Sequence, residues 1–530
     1  MELIFPTVII ILGCVALLLL LQWKNLREPP CIRGWIPWIG AGFEFGKAPL
    51  EFIEKARIKY GPIFTVFAMG TRMTFVTEEE GINVFLKSKE VNFELAVQNP
   101  IYRTASIPKN IFFALHEKLY IVMKGKLGTF NLCQFAGQLT EELHEQLENL
   151  GTHGTIDLNN LVRHLLYPVS VNMLFKKGLF PTNKKKIMEF HQYFRAYDEG
   201  FEHGSQVPEC LLRNWSKSKR WLLAFFEKNI PDIKTYKSEK DNSMTLMQDL
   251  LNVIETETNE ESPNYGLLLL WASLSNAVTI AFWTLGFVLS HPNIHRTIME
   301  GISSVFGTAG KDKIKVSEDD LKKLPLIRWC ILETTRLRAP GAITRKVLKP
   351  VKILNYTVPS GDLLMLSPFW LHRNPKYFPE PESFKPERWK KANLEKHVFL
   401  DSFMAFGSGK YQCPGRSVRQ LGHIYPESLW KDDGTEGESF GLLFLFFTIK
   451  LQGKPGDHIL LGWPVVLCNV YMRMSKGALI GDLMRTKYYS SSCQVKAGFM
   501  LQMLSFPIRI IQSGLNFTFF KHKDNSVIFL

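Results

Sequence analysis

The chain has 530 residues, of which 46% are hydrophobic and 22% are charged, and its formal net charge is +14. This composition is typical of a globular protein and excludes a disordered one. The positive charge favours anionic partners such as acidic proteins or lipid headgroups, but nucleic acid is not expected because no finger or RNA-binding signature occurs. The eight cysteines form no CxxC pair, and HExxH and P-loop motifs are absent. The sequence therefore predicts neither a zinc site nor a dense disulfide framework.

Residues 1–22 are predicted to be a transmembrane anchor. Leu3 to Leu21 form a run of 19 uncharged residues, which as a helix would span ~28 Å, the thickness of a bilayer core. A cleaved signal peptide is the alternative, but its apolar region is usually shorter and ends at a small-residue cleavage site. Lys24 and Arg27 follow the run, which indicates that the bulk of the chain faces the cytosol.

The segment after the anchor, residues 23–46, is rich in proline and glycine and predicts a stiff hinge. Residues 48–61 then have helical spacing and a glycine stop, and residues 62–77 predict a strand pair around Gly70. The spacing that follows is mostly helical. Residues 47–416 are therefore predicted to form one large domain that is mainly α with small β-sheets.

Two helical segments leave alternatives open. Asn214–Lys228 alternates tryptophans with basic residues, so it is an amphipathic surface helix or a second membrane contact. Asn264–His291 is long and almost uncharged, so it is a second transmembrane span or a buried core helix with a polar notch. A further helix is predicted to end before Pro340, strands are predicted over 347–366, and a proline-punctuated loop over 374–389.

The stretch FGSGKYQCPG, which begins at Phe406, surrounds a single cysteine with glycines. Gly407 and Gly409 allow the loop to turn amide groups toward a thiolate, which stabilises the charged sulfur. One cysteine cannot build a zinc or iron–sulfur site, but it can bind a haem iron whose other four ligands come from the porphyrin. Cys413 is therefore predicted to be the metal ligand of a haem.

This loop resembles the FxxGxxxCxG haem loop of the cytochromes P450, the haem-thiolate monooxygenases. Glu333 and Arg336, in ETTR, resemble the family's ExxR motif, and Arg388, in FKPERW, matches the third member of that motif's network. The i, i+3 spacing places the first two on one helical face, where they can pair; the alternative is a surface pair of little consequence. The resemblance covers about Pro29 to Arg416. It implies the cytochrome P450 fold and a structural role for the three residues.

The resemblance also implies how haem b is bound. Cys413 would be the axial thiolate, Phe406 and Gly407 would line the cofactor, and Arg345, in AITRKV, would bind a propionate.

Two departures from the family concern the same propionates. Tyr411 stands where the family often has arginine, and the family's W-x-x-x-R motif is not clear. Lys124 and Lys126 are candidate substitutes, with solvated surface lysines as the alternative.

The catalytic candidates are Ser275 and Asn276, in WASLSNAV. Most of the family has an acid followed by threonine here, which relay protons to oxygen. Ser275 occupies the acid place and Asn276 the threonine place, and asparagine resembles the sterol 7α-hydroxylase and prostacyclin synthase branch. An amide hydrogen-bonds to oxygen and water but does not ionise, so protons would travel through water. Alternatively, Asn276 bonds only its own helix.

The resemblance implies an oxysterol hydroxylase of cholesterol and bile acid metabolism, with electrons from NADPH through a flavin reductase. It also implies a single-pass protein of the endoplasmic reticulum membrane with its catalytic domain in the cytosol. The expected partners are the sterol substrate, the reductase and the membrane. A non-catalytic or haem-poor sterol binder and an isomerase of the prostacyclin-synthase kind are the other two hypotheses.

Residues 417–530 depart from the family pattern. A long helix is expected after Cys413, but Gly422 and Pro426 break any helix within about two turns. The tail shows no sequence counterpart of the family's later strands, and its first apolar run is too short to span a bilayer. The tail therefore predicts low haem occupancy and weak or absent hydroxylation.

Overall fold

The computed structural model describes residues 28–127, 139, 141–149, 153–237, 244–258, 264–307, 320, 322–339, 341–392, 403–407, 409–414, 516–521 and 527–529. Helices dominate this part of the chain, as the sequence predicts. In chain order they are α1 Gly42–Lys47, α2 Pro49–Tyr60, α3 Ile82–Lys87, α4 Glu94–Ala105, α5 Lys109–Lys126, α6 Leu158–Leu174, α7 Lys184–Glu199, α8 Phe201–Gln206, α9 Arg213–Thr235, α10 Leu246–Thr258, α11 Asn264–Ser290, α12 Pro292–Phe306, α13 Pro325–Arg338, α14 Pro368–Leu371 and α15 Arg388–Ala392. The anchor predicted at 1–22 lies outside the described residues.

The strands of the described chain are short. They are β1 Cys31–Arg33, β2 Ile63–Ala68, β3 Thr71–Val76, β4 Val91–Asn92, β5 His153–Asp157, β6 Ile343–Val347, β7 Val351–Ile353, β8 Tyr356–Val358, β9 Leu363–Leu366, β10 Asn516–Lys521 and β11 Val527–Phe529. They form a six-stranded sheet of order β1-β2-β3-β9-β6-β4, a three-stranded sheet of order β11-β10-β5, and the β7-β8 pair. In the large sheet β1 and β2 are parallel, β3 and β9 are parallel, and the other neighbours are antiparallel.

The helix and strand pair predicted near the N-terminus are confirmed. Helix α2 ends at Tyr60 and is followed by Gly61, whose φ of 90° lies in the region that favours glycine. Met69 and Gly70 connect β2 to β3 with φ values of 49° and 75°, the backbone of a tight hairpin turn. Thr65 and Thr74 pair across the two strands, with 2.8 Å between their hydroxyl oxygens.

The segment predicted as a hinge, residues 23–46, contributes to the folded domain from Cys31 onward. Strand β1 pairs with β2, and Ala41 and Phe45 are buried against the sheet. The Pro/Gly content correctly argued against a long helix there. The Pro/Gly content did not reveal that Cys31–Arg33 pair with one side of β2, where the backbone groups are free to accept another strand.

Helix α11 is the central core helix of the large domain. Its 27 residues pack against α6, α9 and α13, and most of its length is buried. Among the described residues it is the one helix long and apolar enough to cross a membrane, and 56% of its most apolar window is buried within the protein. Of the two alternatives for this segment, the structure has the buried core helix. Ser273 and Thr279, in its middle, donate to the Leu270 and Ser275 carbonyls of the helix itself, at 3.0 Å each.

Helix α9 contains the tryptophan-rich segment that left a membrane contact open. Trp215 is buried and stacks on Tyr197, with ring centroids 5.6 Å apart, and Trp221 stacks on Tyr193 at 4.6 Å. Lys219 is buried too, and its Nζ donates to the Arg103 carbonyl at 2.6 Å. The tryptophans of this helix therefore pack on protein, which is the amphipathic surface-helix alternative.

The C-terminal tail contributes two strands, although its sequence showed no counterpart of later family strands. Strand β10 pairs antiparallel with β5, in the register Thr518 to Thr155, and with β11 on its other side. The tail thereby adds to a strand from the first third of the chain. Gly422 and Pro426, and with them the predicted break after the cysteine, lie outside the described residues.

Candidate functional site

The cysteine loop closes on itself through two backbone hydrogen bonds. The Cys413 N–H donates to the Phe406 carbonyl at 2.9 Å, and the Gly407 N–H donates to the Met404 carbonyl at 3.0 Å. Gly407 has a φ of 68°, which a side chain would disfavour. Cys413 is half-buried and in no disulfide, so its sulfur is held at the rim of a defined turn.

A buried ionic group, the ion-pair cluster, brings together the three residues Glu333, Arg336 and Arg388. Arg336 binds both carboxylate oxygens of Glu333, through Nε at 2.9 Å and Nη2 at 2.8 Å, and both side chains are fully buried. Arg388 Nε, Trp389 Nε1 and the Lys385 N–H also donate to this carboxylate, at 2.9, 3.0 and 3.0 Å. Glu333 therefore accepts five hydrogen bonds, and a buried charge so fully paired is consistent with a structural rather than a surface role.

The ion-pair cluster is connected to the cysteine loop through one histidine. Arg336 Nη1 donates to the His372 carbonyl at 2.7 Å, and His372 Nε2 accepts from the Met404 N–H at 3.1 Å. The His372 ring also stacks on Phe403, with centroids 5.0 Å apart. Since Met404 anchors the first turn of the loop, the orientation of the loop depends on this chain of contacts.

Arg345 lies in β6 next to the loop and is buried. Its Nη1 donates to the Thr344 carbonyl at 2.8 Å, and no carboxylate among the described residues pairs with it. Burial lowers the pKa of Arg345 to about 10, and its guanidinium lies over the Phe93 ring at 5.3 Å. A buried cation that lacks an anion suits an anionic ligand.

Helix α5 reaches the loop through residues that sequence reasoning missed. The Tyr120 hydroxyl donates to the Gln412 carbonyl at 2.6 Å, and the His116 ring lies 5.8 Å from the Tyr411 ring. Burial lowers the pKa of His116 to about 4, so the ring is neutral at pH 7. The i, i+4 spacing of this histidine and tyrosine was the available signal, but aromatic residues at helical spacing are usually core residues.

The two lysines proposed as substitutes do not lie in this arrangement. Lys126 pairs with Asp249 at 3.0 Å, and Lys124 is exposed. Their positions are one and two turns past Tyr120, beyond the end of α5 that touches the loop. The contacts of α5 with the loop come instead from His116, Glu117 and Tyr120.

On α11, Ser275 and Asn276 face different surroundings. Ser275 is buried, and its Oγ makes no hydrogen bond to any described residue. Asn276 is half-buried, and its amide makes no side-chain hydrogen bond within the described chain, its own helix included. It lies in an open row with Ala272 and Ile280, at i, i+4 spacing, and none of the three is buried.

The family model for "Cytochrome P450" matches residues 29–420. The chain belongs to the cytochrome P450 family. It is 83% identical over 417 residues to human "24-hydroxycholesterol 7-alpha-hydroxylase", a match that covers 78% of this chain and 89% of that protein. Identity to the mouse protein of the same name is 74%, over 78% of this chain and 88% of the other.

A solved structure shares the P450 fold. Retinoic acid-bound cyanobacterial CYP120A1 superposes with a TM-score of 0.59 at 19% identity, covering 75% of this chain and 90% of that one. The family match ends at residue 420, close to the end of the resemblance found in the sequence. The strands of the tail thus lie beyond the residues that identify the family.

The P450 family implies a haem iron, and the residues beside the loop fit one. Cys413 offers a thiolate at the rim of a turn, and Arg345 offers a buried cation that lacks an anion. Tyr411, in the place of the family arginine, stacks on Phe93 with centroids 4.8 Å apart, so an aromatic layer replaces that charge. The neutral His116 adds a buried ring nitrogen, Nε2, with no hydrogen-bond partner among the described residues.

Proposed function

We propose that this chain is a haem-thiolate monooxygenase that hydroxylates an oxysterol, namely 24-hydroxycholesterol at its 7α position. The observation that carries the proposal is the 83% identity to the human enzyme of that name across 89% of its length. The net reaction combines R–H, O2, two electrons and two protons to R–OH and water. Bound haem, held by the Cys413 thiolate, supplies the activation of oxygen.

The protein's own residues have three roles in this proposal. Cys413 binds the iron, with Phe406 and Gly407 lining the cofactor, and Arg345 binds a propionate. The surroundings of Arg345 support the propionate role. Its guanidinium is buried and pairs with no carboxylate of the described residues, so an anionic ligand would stabilise it.

The ion-pair cluster of Glu333, Arg336 and Arg388 has a structural role. It binds neither substrate nor oxygen; it holds the cysteine loop through His372. Supporting this role, every hydrogen bond of the Glu333 carboxylate is made within the protein.

Asn276 and Ser275 serve the oxygen chemistry in the proposal. The open position of Asn276 on α11 leaves its amide free to bond oxygen or water, and an amide holds a water in place without ionising. Ser275, one residue earlier, points into the protein and passes protons toward that water.

Electrons are proposed to come from NADPH through a flavin reductase. The chain's net charge of +14 suits the acidic face of such a partner. The uncharged run Leu3 to Leu21, followed by Lys24 and Arg27, suits a single-pass anchor in the endoplasmic reticulum membrane with the P450 domain in the cytosol.

The test is purification of the full 530-residue chain, followed by measurement of haem per polypeptide and of the reduced carbon-monoxide difference spectrum. Cys413→Ala is expected to lose the thiolate-type spectrum, whereas Cys210→Ala, at an exposed cysteine, keeps it. With reductase and NADPH, 24-hydroxycholesterol should be converted to its 7α-hydroxylated product. A thiolate-type spectrum that survives Cys413→Ala would rule out the assigned ligand.

The same preparation separates the two alternatives. Turnover without reductase would favour an isomerase. Tight sterol binding with little haem and no product would favour a haem-poor binding protein. The observation that supports this alternative is the tail of residues 417–530, nearly all of which lies beyond the family match.

A further inference from the structure

Two acidic residues lie inside the protein at the junction of α7 and α8. Asp198, near the end of α7, is buried, and the Oε2 atom of Glu202, one helical turn further, is buried as well. Neither carboxyl forms an ion pair with any described residue. Buried carboxyls are uncommon unless they are paired, so this pair calls for a physical reason.

Helix α11 forms the other side of the pair. The Ser275 hydroxyl and the Trp271 indole, one turn apart on α11, both lie beside the Asp198 carboxyl. Phe201, between the two acids, stacks on Trp271 with centroids 3.6 Å apart and rings within 7° of parallel. This stack fixes α8 against α11. We call Asp198, Glu202, Trp271 and Ser275 the carboxyl cluster.

The polar atoms of the carboxyl cluster are not satisfied. Asp198 Oδ1 and Glu202 Oε2 lack a hydrogen-bond partner among the described residues, whereas the Ser275 hydroxyl and the Trp271 indole lie close enough to Asp198 to lower its pKa but are poorly aligned with it for hydrogen bonding. In folded proteins almost all such buried atoms are bonded, and the exceptions are commonly functional or hydrated. Two neighbouring carboxyl oxygens without a partner are therefore unlike ordinary core packing.

The surroundings favour a carboxyl that holds a proton. Burial raises the pKa of Asp198 to about 6, against the lowering effect of Ser275, and burial raises the pKa of Glu202 well above its ordinary value. One cation faces Asp198, Arg163 of α6, and it lowers the pKa of the carboxyl. The other titratable groups that face Asp198 do not neutralise it; they are Tyr167 of α6, Glu199 and Glu202.

Ser275 connects this cluster to the open face of α11. Consecutive helical residues point about 100° apart, and Asn276 lies in the open row while Ser275 is buried toward Asp198. The α11 sequence itself carries no acid between Asn264 and Ser290. A proton that reaches Ser275 is thus one residue from the face where the proposed function places oxygen.

We propose that Asp198, replenished by Glu202, is the proton donor that α11 does not carry in its own sequence, and that Ser275 transmits the proton. The inference rests on the proposed function. The Asp198 carboxyl gives its proton to Ser275 Oγ as the Ser275 hydroxyl releases its own proton, through water, toward Asn276. The Asp198 carboxylate then takes a proton from Glu202, and Glu202, whose side chain is only half-buried, takes its proton back from solvent. Two protons per turnover, with O2 and the reductase's two electrons, give R–OH and water, and both protons end in the water.

The experiment compares holoenzyme variants supplied with reductase. Asp198→Asn and Ser275→Ala are expected to lower product formed per NADPH by roughly tenfold or more, with electrons lost as hydrogen peroxide, and to change the solvent isotope effect. Ser275→Thr keeps a hydroxyl and should restore coupling. The matched control is Glu199→Gln, which removes an exposed carboxyl paired with Arg195 on the same helix and should leave coupling unchanged.

A second measurement needs no turnover. Infrared difference spectra of the full chain between pH 5 and pH 8 should show a buried protonated carboxyl that titrates near pH 6, and this component should vanish in Asp198→Asn but not in Glu199→Gln, while the signal of Glu202 remains in both. Absence of the signal from the unaltered chain contradicts the proton donor whatever the activity. A chain with the signal but without reductase-dependent turnover contradicts the proposed function instead.

Unchanged coupling in Asp198→Asn, or an equal loss in Glu199→Gln, overturns the proposal. If Asp198→Asn gives no folded protein, the two Ser275 variants test the proposal. Equal coupling of NADPH oxidation to product in Ser275→Ala and Ser275→Thr would overturn it. A purely structural role for Asp198 would lower the melting temperature without altering the isotope effect.

Discussion

The ion-pair cluster and the carboxyl cluster both contain buried carboxyl groups, but only the first pairs them with cations. Glu333 accepts five hydrogen bonds and pairs with two arginines. Asp198 and Glu202 have unsatisfied oxygens and no paired cation among the described residues. Breaking a paired buried charge is strongly destabilising, whereas burial without a partner favours the protonated form of a carboxyl. The difference suggests that the first cluster fixes the cysteine loop and the second exchanges protons.

The largest expected effect comes from a substitution in the ion-pair cluster. Arg336→Ala leaves the Glu333 carboxylate buried without its main partner, which should cost ~3–5 kcal/mol of unfolding free energy. Little folded holoprotein is expected. Urea unfolding followed by circular dichroism, together with haem content, measures the loss.

The matched control for this variant is Arg57→Ala. Arg57 and Glu54 have the same i, i+3 spacing and two hydrogen bonds, at 3.0 and 2.8 Å, but are about one-third exposed. Removal of this pair should cost ~1 kcal/mol or less. Normal haem content in Arg336→Ala, with only turnover changed, would contradict the structural role.

Asp198→Asn tests the unpaired side through the pH dependence of stability. The unfolded carboxyl ionises near pH 4, but the folded one keeps its proton to about pH 6. The folded state therefore binds more protons between these values, and its stability falls as the pH rises through them. The variant lacks this loss, so its unfolding free energy relative to the unaltered chain should rise by about 3 kcal/mol between pH 4 and pH 6 and then level off.

Chemical denaturation of both proteins at several pH values measures this difference. Glu199→Gln is again the control, because it removes a neighbouring exposed carboxyl. A flat difference between Asp198→Asn and the unaltered chain would show that the carboxyl is not protonated inside the folded protein.

His372→Phe tests the connection between the ion-pair cluster and the loop. Phenylalanine preserves the stack on Phe403 but removes the acceptor for the Met404 N–H. A buried donor without an acceptor should cost ~1–2 kcal/mol. Haem release to an external acceptor should become faster while substrate affinity stays the same. A release rate equal to that of the unaltered protein would mean that the loop is held by its own turns alone.

Thr518→Pro should have the smallest effect, and it concerns the tail. Strand β10 lies between β5 and β11, so a proline removes a ladder hydrogen bond on whichever side the amide points. The loss should be ~1 kcal/mol. Thr518→Val keeps the amide and is the control. A lower melting temperature in Thr518→Pro, but not in Thr518→Val, supports a docked tail. Equal melting temperatures in the two variants and the unaltered chain, with low haem content in all three, would favour the haem-poor alternative.

The cysteine loop and the ExxR motif were identifiable from the sequence because their chemistry is local. Glu333 and Arg336 are one turn apart on a helix, and the glycines around Cys413 constrain the backbone whatever surrounds it. The helix at Pro49–Tyr60 and the hairpin around Gly70 follow from short-range rules of the same kind. These residues also sufficed to point to the cytochrome P450 family.

Tertiary structure alone decided the contacts between distant segments. Asp198 meets Ser275 because two helices pack, and nothing in either segment specifies the partner. Tyr120 rather than a lysine reaches the loop because of how α5 approaches Gln412. A strand of the tail pairs with β5 through backbone groups that every residue possesses. Side-chain periodicity reveals which face of an element is buried, but only packing determines what that face is buried against.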